Sequence, residues 1–262
     1  MVYFAGIYKS ANHKLPWYGY ERRVLRHAIE IGPPKIFNKA GFEKLDREFA
    51  WWFAWFCGLL KHSGIDVRNP SKIIMLEYPD ACPRCFRQKC DAGVECAKQT
   101  RDRVRANREG KKLLDRLPSN YGLSLQAIAN HANSIYPHNL DTDLGSLAHR
   151  FQLEVNELSK AIDYWRDNRD RNKGRAKDKI HEELPDVLLW FASTWHRANT
   201  MERPGGPKYH TLDEILWSMF ENGCPRCSPG SGQRTCTLCL QGTSDAEMYH
   251  DDLVFSADIT YY

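Results

Sequence analysis

The chain lacks any apolar run long enough to cross a bilayer. Its two most hydrophobic stretches, FAWWFAWFCGLL (49–60) and VLLWFASTW (187–195), fall short of the roughly 20 residues a spanning helix needs and sit in charged surroundings. They read as buried helix faces, and no membrane partner is expected. The first residues, MVYFAGIYKSANHK, lack the basic start, apolar stretch and cleavage site of a secretory signal, so the expected location is cytoplasmic. Strong charge of one sign is also missing. The net charge of +4 and pI near 8.5 are mildly basic and do not by themselves imply nucleic acid. What is present, 262 residues at 42% hydrophobic and 27% charged, suffices for a sizeable core in one large or two small domains.

Without a secretory destination, nine cysteines do not read as a disulfide framework. Eight fall in two clusters: Cys82, Cys85, Cys90 and Cys96, then Cys224, Cys227, Cys236 and Cys239. The second is CxxC, eight residues, CxxC; the first is CxxC with two looser cysteines. Four thiolates at such spacing suit tetrahedral zinc, and four cysteines leave no open coordination position, so both sites are expected to be structural. Reduced thiols or a redox CxxC pair are the competing reading. Cys57, inside an apolar run, reads as a core residue.

Both clusters open with CPRC, at 82 and 224, an offset of 142. Upstream, EKLDREFAWWFAWF from Glu43 matches ELPDVLLWFASTW from Glu183 at an offset of 140, and ERRVLRHAIEI from Glu21 matches EVNELSKAIDY from Glu154 at 133. Three matches in register point to a tandem duplication. The expected organisation is a first repeat at 1–96 with its cysteine knuckle at 82–96, a basic linker helix at 97–122, a second repeat at 123–223, and a second knuckle with tail at 224–262. Val24 stands where the second copy has Glu157, so the first copy reads as degenerate. YFAGIY near the start reads equally as a strand or a turn, and the tail LVFSADITYY only as a packing segment.

In the second copy Glu154 and Glu157 are three residues apart, as are Glu183 and Asp186, so each pair projects from one face of a helix. Pro185 is expected near the start of its helix, where its missing N–H does little harm. Like charges so placed repel, and a hard cation such as magnesium offsets the cost by taking carboxylate and phosphate oxygens. Two antiparallel helices would bring the pairs within reach of one ion or two. Surface glutamates are the bland alternative. Against it, each pair runs directly into an apolar stretch. Of the two basic segments, RDRVRANREGKKLLDR (101–116) reads as a solvated face. RDNRDRNKGRAKDK (166–179), between the acid pairs, reads as a connection that contacts phosphate.

With these motifs in order, the chain resembles the MazG-like family of all-α nucleoside triphosphate pyrophosphohydrolases, related to the all-α dimeric dUTPases and the dCTP pyrophosphatases. LEVNE (153–157) and EELPD (182–186) are similar to the family's EExxE and ExxD, with Leu153 in place of the first glutamate. SLQAIANHANSIYP resembles the first helix and TLDEILWSMF the last, while SGIDV (63–67), YPDACPRC (78–85) and FENGCPRC (220–227) are similar to the segment and cysteine tail of some members. The resemblance implies an all-α fold of two helical-bundle repeats, each followed by a zinc knuckle. It implies magnesium or manganese at Glu154, Glu157, Glu183 and Asp186, which are also the catalytic residues, and hydrolysis of a (deoxy)nucleoside triphosphate to monophosphate and pyrophosphate. Lys173, Arg175, Lys177 and Lys179 would add charge for the phosphates, and Trp165 or Trp190 would line a base pocket, Trp190 reading better as core. Family sites lie between subunits, which implies a homodimer or a pseudo-dimer within one chain. The rival expectation is a binding module in which knuckles and basic segments hold nucleic acid or a protein beside vestigial acids.

Overall fold

The computed structural model describes residues 39–62, 70–90, 96, 102–116, 125–168, 173–201 and 211–221. Every regular element among them is a helix: α1 (Lys39–His62), α2 (Pro70–Glu77), α3 (Arg103–Arg116), α4 (Leu125–Ile135), a 3-10 turn (Pro137–Leu140), α5 (Leu144–Asn168), α6 (Lys173–Thr200) and α7 (Leu212–Phe220). No strand occurs among the described residues. The fold is all-α there, as expected, and none of these helices is long and apolar enough to cross a membrane.

Periodicity explains the elements. In α1, Phe42, Leu45, Phe49, Trp52, Phe53 and Phe56 recur at spacings of three and four and are all buried. In α5, Leu147, Phe151, Val155, Leu158 and Ala161 do the same. Three helix starts carry local caps. Asp102 accepts from the Arg105 amide at 2.9 Å, Asp143 from the Ser146 amide at 2.8 Å, and Thr211 from the Glu214 amide at 3.2 Å.

Helices α5 and α6 pack along each other in antiparallel sense. Tyr164 meets Lys179 near their connection, Glu154 meets Glu183 and Asp186 midway, and Phe151 meets Phe191 farther on. Helix α1 joins the same core through a wedge of rings. Trp52 stacks on Phe191 at 4.7 Å and meets Phe151 edge-on at 4.8 Å, while Phe49 meets Phe191 at 5.4 Å and Trp195 at 5.7 Å. Helix α7 closes against α1, with Trp51 edge-on to Phe220 at 5.2 Å. The described helices of both sequence halves therefore share one hydrophobic core.

Two sequence expectations change. Pro185 is not near a helix start: α6 begins at Lys173, so the proline lies in its interior. The basic segment 166–179 is accordingly not one connection, since 166–168 ends α5 and 173–179 forms the first turns of α6. Lysine, arginine and alanine are good helix formers, and charge alone does not make a loop. The other basic segment forms α3, which packs on α2 so closely that a Cβ on Gly110 would lie 2.2 Å from the Met75 carbonyl oxygen.

Glu21, Val24, YFAGIY, SGIDV, the second cysteine cluster (Cys224, Cys227, Cys236 and Cys239) and the C-terminal tail lie outside the described residues.

Candidate metal centres

The first centre is built from cysteine. The chain leaves α2 at Tyr78, whose amide bonds back to the Ile74 carbonyl at 2.7 Å, and enters a tight loop. There the Phe86 amide donates to the Cys82 carbonyl at 2.8 Å and the Cys82 amide to the Arg87 carbonyl at 3.0 Å. Phe86 takes a left-handed backbone conformation (φ 54°), as loops that fold thiols onto one point require. The Cys90 amide donates to the Ile135 carbonyl at 2.7 Å, tying the loop to the end of α4.

Cys82, Cys85, Cys90 and Cys96 thereby gather with all sulfurs within 4.8 Å of one another. Individual separations are 3.6 Å for Cys82 to Cys96, 3.9 Å for Cys85 to Cys90 and 3.2 Å for Cys90 to Cys96. Sulfurs bound to one tetrahedral zinc at about 2.3 Å stand about 3.8 Å apart, so the cluster has the dimensions of a structural zinc site.

Burial pushes the Cys82 thiol up, but the Cys85 amide, the Tyr136 hydroxyl and the Arg84 amide together bring it down to about 7. Burial and the neighbouring sulfurs push Cys90 up, and burial first of all raises Cys96 to about 11. Crowded thiols resist sharing negative charge, and a dication removes that conflict by holding all four as thiolates. Cys57, pushed up to about 12 by burial in α1, is an inert core thiol.

The second centre is built from carboxylates. Glu154 of α5 and Glu183 and Asp186 of α6 bring one oxygen each within 4.8 Å of the others, and all three side chains are half-buried. Glu157 is solvent-exposed and is not among the acids that converge. The same spacing of three brings both Glu183 and Asp186 to the point on α6, so spacing alone does not decide which acids converge. Leu153, at the position that departs from EExxE, is 38% exposed, an apolar residue on the open side of α5.

Of the basic residues expected to meet phosphate, Lys179 is described. Its ammonium lies 4.2 Å from the centre of the Tyr164 ring, one helical turn before Glu183. The side chains of Lys173, Arg175 and Lys177 lie outside the described residues. Trp165 and Trp190 are half-buried and both pack against the core, the arrangement expected for Trp190. In α1, Asp46, matched to Asp186 in the sequence alignment of the halves, is 1% exposed, and Glu43 is half-buried.

One residue at this site escaped sequence reasoning. The Tyr78 hydroxyl donates to Asp186 Oδ1 at 2.6 Å. Its backbone carbonyl in turn accepts from His131 Nε2 at 2.8 Å, and His131 Nδ1 lies 3.3 Å from Asp80 Oδ1. The tyrosine is visible in the motif YPDACPRC, but its partner is 108 residues away.

In comparisons with protein-family models, with curated proteins and with solved structures, nothing matches this chain.

Proposed function

We propose that the chain hydrolyses (deoxy)nucleoside triphosphates to the monophosphate and pyrophosphate with a divalent cation held by Glu154, Glu183 and Asp186. The observation that carries this reading is the convergence of three acids from two helices at one point, in the order that the MazG-like resemblance expects. The donor set fits a hard cation. Carboxylate oxygens are what such a cation takes, usually one or two carboxylates with water and phosphate, and these three lie within 4.8 Å of one another. Three protein oxygens also leave positions for water and phosphate.

When bound, magnesium or manganese supplies charge neutralisation on phosphate oxygens and a lowered pKa for an adjacent water. Glu157, open to solvent and outside the converging three, is the carboxylate left to accept the proton of the attacking water. In the balanced step, water oxygen bonds to the α-phosphorus, the bond to the pyrophosphate oxygen breaks, and the proton passes to the carboxylate. Lys179, parked on Tyr164 beside the site, is a cation available to the departing phosphates. The aromatic packing of α1 on α5 and α6 supports an intrachain pseudo-dimer in which the first half supplies the partner surface.

The test incubates the chain with magnesium and a panel of ribo- and deoxynucleoside triphosphates and measures monophosphate and pyrophosphate. Glu183→Gln is expected to lose both turnover and Mn2+ binding; Glu157→Gln is expected to lose at least 100-fold in turnover, within the range of a general base, with Mn2+ binding kept. No turnover by the parent across the panel would sink the enzyme reading.

A binding module is the second reading, favoured by one contact. The Arg105 guanidinium lies 4.0 Å from the centre of the Phe86 ring. It joins the exposed knuckle residues Arg84, Arg87 and Lys89 to the exposed Arg108 and Lys111 of α3 as one basic surface. Polyanion binding that falls steeply with salt and ignores Glu183→Gln would favour it.

A further inference from the structure

The cysteine knuckle and the carboxylate group belong to different sequence halves, yet the short segment Tyr78 to Cys82 and one hydrogen bond join them. Tyr78 leaves α2 four residues before Cys82 and is 2% exposed. Its hydroxyl reaches Asp186 Oδ1, and its carbonyl accepts from both His131 Nε2 at 2.8 Å and the Asp80 amide at 3.0 Å. Past Asp80, itself left-handed at φ 49°, the chain enters the knuckle. The knuckle is pinned to the end of the same helix, α4, by the Cys90 amide on the Ile135 carbonyl, and to the next residue by the Tyr136 hydroxyl, which donates to Cys82 Sγ at 3.5 Å. Tyr78 is thus held between the thiol cluster and α4, with its phenol on a carboxylate of the other centre.

A buried phenol needs an acceptor, and any carboxylate would serve. What sets this contact apart is that Asp186 is one of the three converging acids. A donor on one carboxylate oxygen restricts the rotation of the group and leaves its other oxygen for a cation, as outer-shell hydrogen bonds do around metal ligands.

We propose that Tyr78 is a positioning residue for the metal ligand Asp186, and that zinc in the Cys82, Cys85, Cys90 and Cys96 knuckle holds Tyr78 in place, so that the two metal centres are coupled. The inference rests on the reading of Glu154, Glu183 and Asp186 as a divalent-cation site. Zinc binding in the first half then raises the cation affinity of the second, and by linkage the cation raises the retention of zinc.

The test titrates the zinc-loaded full chain with Mn2+, following the electron paramagnetic resonance signal of free Mn2+, with zinc content and helical circular dichroism measured alongside. Tyr78→Phe keeps the ring and removes the donor. It is expected to weaken Mn2+ binding about 10-fold, the low end for lost outer-shell partners, with zinc and helicity unchanged. Stripping zinc from the parent should cost a similar factor and cost Tyr78→Phe nothing further, because both act through one contact. Should stripping unfold the chain, His131→Ala takes its place: it removes the side-chain bond to the Tyr78 carbonyl, leaving only that from the Asp80 amide, without touching either centre. It should weaken Mn2+ binding in the parent background but not in Tyr78→Phe.

Tyr78→Phe binding Mn2+ like the parent overturns the proposal and leaves the carboxylate site standing. Loss that does not depend on zinc or on His131 overturns the coupling. A parent that takes up no Mn2+, no better than Glu183→Gln, overturns the carboxylate reading itself and the proposal with it.

Discussion

His196 sits half-buried on α6, with its Nδ1 3.3 Å from Gln126 Nε2, and burial holds its pKa below the usual 6.5. In the unfolded chain the imidazole takes up a proton as pH falls through about 6.5, while in the folded chain it resists until a lower pH. The unfolded state therefore binds more protons in that window, and stability falls as pH drops from 6.5 towards the folded pKa. The neutral ring accepts from the Gln126 amide, a contact that protonation at Nδ1 removes. His196→Gln is expected to flatten this part of the stability profile, as read by urea unfolding at a series of pH values. An unchanged slope below pH 6.5 would show that His196 is not its source. Residues of this kind, like Tyr78, were not legible in the sequence, because their partners come from other helices. That the thiols of the first cluster gather, and that Glu154 meets Glu183 and Asp186, was legible because short spacings put side chains on one face locally. Glu157 shows the limit of that rule: periodicity places two side chains on one side of a helix, but not both at one point.

At the level of elements, α2 and α3 cross where Gly110 meets the Met75 carbonyl oxygen at a distance no Cβ tolerates. Gly110→Ala gains up to about 1 kcal/mol of helix propensity, but it forces two backbones apart, and overpacking costs about 1–3 kcal/mol. The obstacle is main chain and cannot rotate away, so the cost is expected to win. A lower midpoint in thermal unfolding checks this, and a higher one would mean that the crossing is loose. Because α2 ends at Glu77, directly before Tyr78, the same variant should also loosen the knuckle and release zinc more readily to a chelator. Pro185 is the converse case. Inside α6 it removes the hydrogen bond to the His181 carbonyl and crowds it, at a cost of about 3 kcal/mol. It lies between Glu183 and Asp186, so Pro185→Ala is expected to stabilise the helix while altering Mn2+ affinity; stability gained with affinity unchanged would separate the proline from the site. The helix at 144–168 could be read from its apolar periodicity, whereas those at 125–135 and 212–220 were expected only through the resemblance. The start of α6 could not be read, since the basic residues before it favour a helix as readily as a solvated loop.

For the molecule as a whole, the question is whether the two sequence halves fold separately. Tandem repeats suggest two domains, yet Trp52 of the first half is fully buried against Phe151 and Phe191 of the second. Large aromatic rings supply more buried apolar surface than any other side chains, so this wedge is expected to make unfolding a single event across both halves. The acids and the thiols each declare themselves in local strings, whereas the ring-to-ring packing between halves has no sequence signature beyond an unusually aromatic helix. Trp52→Ala tests the point. Truncating a buried tryptophan costs about 3–5 kcal/mol, a large part of the 5–15 kcal/mol that holds a domain folded, and should lower the melting temperature by on the order of 10 °C. If the halves share one cooperative core, calorimetry shows one transition, moved as a whole, and the Mn2+ binding proposed for Glu154, Glu183 and Asp186 is lost at the same temperature as the helical signal. Two transitions, of which the variant moves only the one that does not report on those acids, would mean that the second half stands without its aromatic partner.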